Sequence, residues 1–231
     1  MYTFLTDAIT FPAVEHADDH GILAIGGDLS PPRLIKAYQS GIFPWFSDDE
    51  PIIWWAPNPR FVLFPENLHI SKTMQRLIRS GKFETTLDQD FAAVIKSCRH
   101  TPRPGQPGTW ITPEMQAAYC DLHAQGYAHS VEVRENGNLV GGLYGVVVGG
   151  CFCGESMFST VSNASKVALI KLVEHLTTRG FMMIDSQVFN DHMESMGAEE
   201  IPREQFMQRL QECLASDAHW GKGSDPSTSS A

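Results

Sequence analysis

The chain has 231 residues, 42% hydrophobic and 19% charged, enough for one large domain, or a domain with a smaller companion, around a real core. A formal net charge of −10 argues against a surface that grips nucleic acid everywhere but leaves room for a local basic face. No apolar run approaches the ~20 residues of a membrane span, MYTFLTDAITFP lacks a secretion signal's basic start and apolar core, and the five cysteines show no CxxC spacing, so a cytoplasmic chain with reduced thiols, no membrane contact and no metal site is expected.

In chain order, Ser30 as N-cap and Pro31 at the first helical position open a short helix that Gly41 ends. The stretches Ile42–Phe46 and Ile52–Pro57 are dense in aromatics and prolines and too irregular for one element. Trp45, Trp54, Trp55 and the later Trp110 form either a small aromatic core or a stacking platform for a planar ligand such as a base. Phe61–Phe64 reads as a strand, and His69–Gly81 as a helix capped by Ser71. Lys72, Arg76 and Arg79 recur on one face of that helix, with Lys82 just beyond it and Met74, Leu77 and Ile78 available for burial. The stripe is either a solvated face or the place where a phosphate backbone docks.

Phe83–Leu87 reads as a strand, Asp88 as the cap of a helix through Ser97, and Thr101–Gly108 as a loop. Thr112 and Pro113 open a helix that ends at Gly126, with Ala118, Cys120 and Leu122 near the core and Tyr119 close by. Ser130–Glu135 and Leu139–Val148 make a hairpin about Asn136-Gly137, whose residues accept the positive φ of a tight turn. Gly149-Gly150 reverses the chain again, so Cys151–Phe158 returns as a third antiparallel strand. Regular alternation puts Cys151, Cys153 and Glu155 on one face and Phe152, Gly154 and Ser156 on the other. A carboxylate so placed is costly without partners, and Glu155 is either a structural cap or pair or the chemical centre.

Ser162-Asn163 begins an amphipathic helix with Ala168, Leu169, Leu172, Val173 and Leu176 inward and Gly180 as its stop. Phe181–Asp185 reads as a buried strand, Asp191–Met196 as a helical piece and Arg203–Leu214 as a last amphipathic helix. A meander followed by helix, strand, helix and strand predicts an α+β chain: a small aromatic-rich N-terminal lobe (1–62), an acetyltransferase-like mixed sheet flanked by helices (63–215) and a disordered tail (216–231). The acyl-CoA users of that fold carry a glycine-rich pyrophosphate loop where this chain has Ser159–Lys166 without a glycine, which disfavours acetyl-CoA as donor.

The runs GGDLSPPRLIKAYQSGIFPWFS, WWAPNPR, GTWIT, GGLYGV, FCGESMFS, NASK and DSQVFNDHMESMGAEEIPR, in this order and spacing, resemble the bacterial leucyl/phenylalanyl-tRNA–protein transferases from about Gly21 to about Leu210. The chain departs from that pattern at Leu143, where Met is common, and at Ser186, where Cys is. The resemblance implies transfer of Leu or Phe from aminoacyl-tRNA to the α-amino group of proteins with N-terminal Arg or Lys, with no metal or organic cofactor; Met as a further donor and a monomeric chain are expected as well. It implies a terminal adenosine against Trp45 and Trp110 with Tyr119 nearby, a donor pocket including Leu143, Phe152, Ser156 and Met157, and a catalytic centre of Glu155, Asp185 and Gln187. The rest of the tRNA would meet Lys72, Arg76, Arg79 and Lys82. A small-molecule acyltransferase and a non-catalytic tRNA-binding module are the competing readings. Asp185 and Gln187 point together only if their strand stays regular.

Overall fold

The computed structural model describes residues 2–101 and 110–221; the expected loop after Thr101, and the tail beyond Gly221, lie outside the described residues. A small sheet is built from β1 (Thr3–Leu5), β2 (Ile22–Gly26), β3 (Phe43–Pro44) and β4 (Ile53–Trp55) in the order β1-β2-β4-β3, with α1 (Pro31–Gln39) between β2 and β3. The irregular aromatic stretches are thus short strands held by pairing rather than by propensity. Arg33 of α1 is buried because its guanidinium ties down the N-terminal segment, donating to the carbonyls of Thr6 and Ala8 and to Asp28.

The large sheet has seven strands. Its members in chain order are β5 (Arg60–Leu63), β6 (Glu84–Leu87), β7 (Ala128–Glu135), β8 (Asn138–Val148), β9 (Cys151–Ser159), β10 (Met183–Gln187) and β11 (Glu199–Ile201), in the spatial order β11-β5-β10-β9-β8-β7-β6. The helices are α2 (Lys72–Arg79), α3 (Phe91–His100), α4 (Pro113–Ala124), α5 (Ala164–Thr178), α6 (Asp191–Glu194) and α7 (Arg203–Leu214). The meander β7-β8-β9 is antiparallel throughout, and β10 joins β9 in parallel after the α5 crossover. Asn136 and Gly137 take φ values of 52° and 79°, as their turn requires.

Both faces of the sheet are buried. One packs Tyr144, Val146, Cys151 and Cys153 against α3, α4 and the N-terminal lobe; the other packs Leu143, Phe152 and Ile184 against α5 and Met74 of α2. Trp54 and Ala56 share the first core with Tyr119 and Val146, so the N-terminal lobe has no separate interior. Four of the five cysteines are buried, and none forms a disulfide among the described residues.

Four expectations need correction. The division at 62/63 falls inside β5, which belongs to the large sheet. Asp88 does not cap α3, whose N-cap is Asp90; Asp88 sits at φ 57° and turns its carboxylate to β7 instead. Ile78 is exposed, leaving Met74 and partly buried Leu77 to anchor α2. The tail does not begin at 216, since Trp220 is buried, stacked 4.3 Å from the His129 ring and 5.8 Å from Phe152. A tryptophan carries enough apolar surface to dock a polar segment that composition alone marks as loose.

Candidate active site

The site starts from an irregularity in β9. Tyr144 of β8 faces Ser156, yet the next residue, Gly145, faces Gly154, so Glu155 is an extra residue, a β-bulge. Glycine is required opposite it: a Cβ on Gly145 would lie 2.3 Å from the Cys153 carbonyl oxygen. The bulge reverses the alternation, so Phe152 and Met157 pack on one face while Cys153 and Phe158 pack on the other. The expected regular division of faces holds only as far as Gly154.

Glu155 is buried and surrounded by donors. Tyr38 of α1 gives its hydroxyl proton to Oε1 at 2.8 Å, Tyr119 of α4 to Oε2 at 2.8 Å, and Gln187 Nε2 donates to Oε1 at 2.8 Å. The two tyrosine hydroxyls also touch each other. Burial pushes the Glu155 pKa up to about 7, against the pull of these three hydrogen bonds and with a further push from the Asp185 charge. Burial and the neighbouring Glu155 charge hold both tyrosines well above the ordinary phenol range, so they remain donors.

A second bulge completes the centre. Asp185 pairs with Val62 and Gln187 with Phe61, leaving Ser186 extra, and Gln187 adopts φ 66°. The strand is not regular there, so the condition for a shared Asp185/Gln187 face fails. Asp185 instead turns inward to Arg60, which donates from Nε to Oδ1 at 2.8 Å and from the guanidinium to Oδ2 at 2.6 Å. Asp185 Oδ1 also accepts the backbone N–H of Gln187 at 2.9 Å, which fixes the strained turn. Arg60 is itself clamped between the rings of Phe43 and Phe206, 4.7 and 4.5 Å from its guanidinium carbon. Arg60 and Tyr38 escaped the sequence reading. Each lies inside a motif, WWAPNPR or LIKAYQSG, but no spacing rule marks either as functional.

These groups border a cavity of about 680 Å³ whose walls include Trp45, Trp110, Leu143, Phe152, Ser156 and Met157 beside Glu155 and Gln187. Eight of the expected residues therefore meet in one place. Asp185 and Tyr119 are fully buried behind it and support the lining instead of forming it. Trp54 is core, with its indole N–H on the Gly26 carbonyl, whereas Trp45 and Trp110 are half-buried at the cavity. Lys72, Arg76, Arg79 and Lys82 are exposed on and beside α2; Lys82 lies 3.5 Å from Glu135. A second hollow, about 670 Å³ beside Phe11, Lys36 and Met207, contains none of the expected residues. Among the described residues the side chains able to share a cation, Asp88, His123 and His129, also stand apart from the cavity.

The model of the leucyl/phenylalanyl-tRNA protein transferase family matches residues 62–211, and that of its N-terminal domain matches 27–58. The chain belongs to this family. It is 53% identical over 225 residues to the leucyl/phenylalanyl-tRNA–protein transferase of Pseudomonas entomophila (strain L48), covering 95% of this chain and 99% of that one. It is 54% identical to that of Pseudomonas putida (strain W619), covering 91% and 94%. Among solved structures, a ribosomal-protein-alanine N-acetyltransferase from Brucella melitensis biovar Abortus 2308 is similar with a TM-score of 0.34 and 14% identity, over 61% of this chain and 95% of that one. Within the transferase family match lie both bulged strands, and the Tyr38 donor comes from the N-terminal family domain.

Proposed function

We propose that the chain moves leucine or phenylalanine, with methionine as a further donor, from tRNA to the α-amino group of proteins that begin with Arg or Lys, creating a degradation signal. The observation that carries this reading is the Gln187 amide at the cavity wall. Its Nε2–H is held by Glu155, which leaves the amide oxygen of Gln187, Oε1, as the acceptor for an incoming amine. The amine donates one hydrogen bond to that oxygen and directs its lone pair at the ester carbonyl. The new C–N bond forms, the ester C–O bond breaks, and the proton passes to the departing ribose hydroxyl of the tRNA. Arg60 and Asp185 act by holding Gln187 in place. The ionised form of Glu155 holds an ammonium group of donor or acceptor.

Leu143, Phe152 and Met157 suit an unbranched or γ-branched apolar side chain, while Trp45 and Trp110 offer faces to the terminal base. The exposed cations of α2 take the phosphates of a monomer's tRNA in the cytoplasm. Ester aminolysis needs positioning and proton transfer, so this reading calls for no metal or organic cofactor. The test is transfer of labelled leucine from Leu-tRNA to a peptide beginning with Arg, with an α-N-acetylated peptide and ribonuclease-treated donor as controls. Label must appear only on the free-amine peptide with intact donor; transfer to neither peptide rejects the proposal, and turnover of acyl-CoA instead would install the small-molecule reading.

A further inference from the structure

Away from the cavity, His129 at the start of β7 lies between a backbone carbonyl and a carboxylate. Its Nε2 lies 3.1 Å from the Gly126 carbonyl oxygen and its Nδ1 lies 2.8 Å from Asp88 Oδ2. A carbonyl oxygen can only accept, so Nε2 carries a ring hydrogen; Nδ1 then meets the carboxylate either with a second ring hydrogen, as an imidazolium paired with Asp88, or with a lone pair. In the lone-pair case the two acceptors repel at that distance unless a cation sits between them. The other Asp88 oxygen is occupied by the Ser130 backbone N–H at 2.8 Å, so the carboxylate cannot turn away without losing that bond.

His123 supplies a third donor atom. Its Nδ1 is 2.8 Å from the Ala128 carbonyl oxygen, so that nitrogen holds a hydrogen, and in the neutral ring Nε2 keeps a lone pair. One ligand atom from each of Asp88, His123 and His129 lies within 4.8 Å of the others. Both imidazoles are thereby oriented through a backbone carbonyl, the arrangement that fixes tautomer and direction in metal-binding histidines. His123 lies in the last turn of α4, where the helix dipole favours a cation.

We propose that Asp88, His123 and His129 bind one divalent ion of the zinc class, linking the β6–α3 turn, the end of α4 and the start of β7. Two imidazole nitrogens and one carboxylate oxygen suit that ion, whose ligand atoms stand roughly 3.3 Å apart around a tetrahedron. Ligation requires the 2.8 Å Asp88–His129 contact to open and His123, stacked on Phe91, to close in. The buried Trp220 ring stacked on His129 covers one side of the site. The ion is a staple, not part of the transfer chemistry, since its ligands do not line the cavity. It holds the helix that carries Tyr119, one turn before His123.

The experiment uses the full chain, stripped with EDTA and titrated with zinc chloride or cobalt chloride alone. One equivalent must bind saturably and raise Tm, and cobalt must give visible bands without the near-ultraviolet thiolate band that cysteine ligation would add. His123→Gln should weaken binding by at least about a hundredfold while keeping the parental circular dichroism, whereas His100→Gln should change nothing. Imidazole ¹⁵N spectra of the unsubstituted protein provide the same decision without a variant: zinc must move the His123 and His129 resonances up to one equivalent. No saturable binding, a thiolate band, equal binding in both variants, or movement confined to other histidines would overturn the proposal and leave a proton between His129 and Asp88.

Discussion

Two glutamates are buried in the same sheet, and they do different things. Glu132 on β7 accepts hydroxyl protons from Thr86 and Ser130, both at 2.6 Å, and backbone N–H groups of Gln89 and Asp90 at 3.3 and 3.4 Å. All of its donors belong to β7 itself or to the neighbouring β6–α3 segment, so this carboxylate closes a turn onto the sheet. Glu155 draws its donors from α1, α4 and β10, and one of them, Gln187, borders a cavity. Burial is shared by the two; what separates them is the reach of their partners. A buried carboxylate whose donors are local builds structure, and one whose donors converge from distant elements beside an opening can work on a substrate.

The largest test of this contrast is stability against pH. An ordinary glutamate in the unfolded chain titrates near 4.5 and Glu155 near 7, so between those values the folded chain holds the extra proton. Stability therefore falls as pH rises through that window, by up to about 3 kcal/mol. Urea unfolding from pH 4 to 8 should show the decline in the parent and lose most of it in Glu155→Gln. Glu132→Gln should instead lower stability by about 1–3 kcal/mol at neutral pH, because one former acceptor becomes a donor facing donors. A parental slope in Glu155→Gln would place the extra proton elsewhere.

Next comes turnover. Gln187→Ala and Asp185→Asn should each slow single-turnover transfer from saturating Phe-tRNA by about a hundredfold with little change in tRNA binding. Glu132→Gln should stay near the parental rate. The rate should climb toward the amine pKa of roughly 8, with a lower inflection near 7 that Glu155→Gln removes. If Glu132→Gln and Gln187→Ala slow transfer equally, the distinction between the two carboxylate environments has no catalytic meaning.

Smaller effects sharpen the outer parts of the site. Trp45→Ala and Trp110→Ala should weaken donor use by about five- to a hundredfold, whereas core Trp54→Ala should act on folding. The smallest concerns α2: neutralising Arg76 or Arg79 should flatten the salt dependence of tRNA binding by nearly one unit of slope per lost contact, equally for Leu and Phe donors. An unchanged slope with Lys72, Arg76, Arg79 and Lys82 all neutralised moves the tRNA to another surface.

What was legible in the sequence follows from how locally each feature is determined. The Asn136-Gly137 turn, the Thr112 cap with Pro113, and the apolar stripe of α5 are set by residues a few positions apart, and they stand where expected. The family motifs brought Glu155, Gln187 and the two cavity tryptophans into view together. The bulges were not visible, because an extra residue is defined only against the partner strand. For the same reason the shared face of Asp185 and Gln187, conditional on a regular strand, is not found: Asp185 turns to Arg60 and Gln187 to Glu155. Arg60 and Tyr38 needed the fold to show what they touch, and Asp88, read as a helix cap, faces histidines from two later elements.

Tyr38 has one more implication. It rides on α1 beside the small sheet, while the carboxylate it serves belongs to β9 and the second phenol to α4. A chimaera that joined the first part of this chain to the remainder of a distant relative through the Ala56–Pro59 linker would inherit half of a hydrogen-bonded phenol pair from each parent. Matching of surfaces at the join is then insufficient: the two lineages must agree on the distance from α1 to the carboxylate, and descent should keep the halves together as one heritable unit.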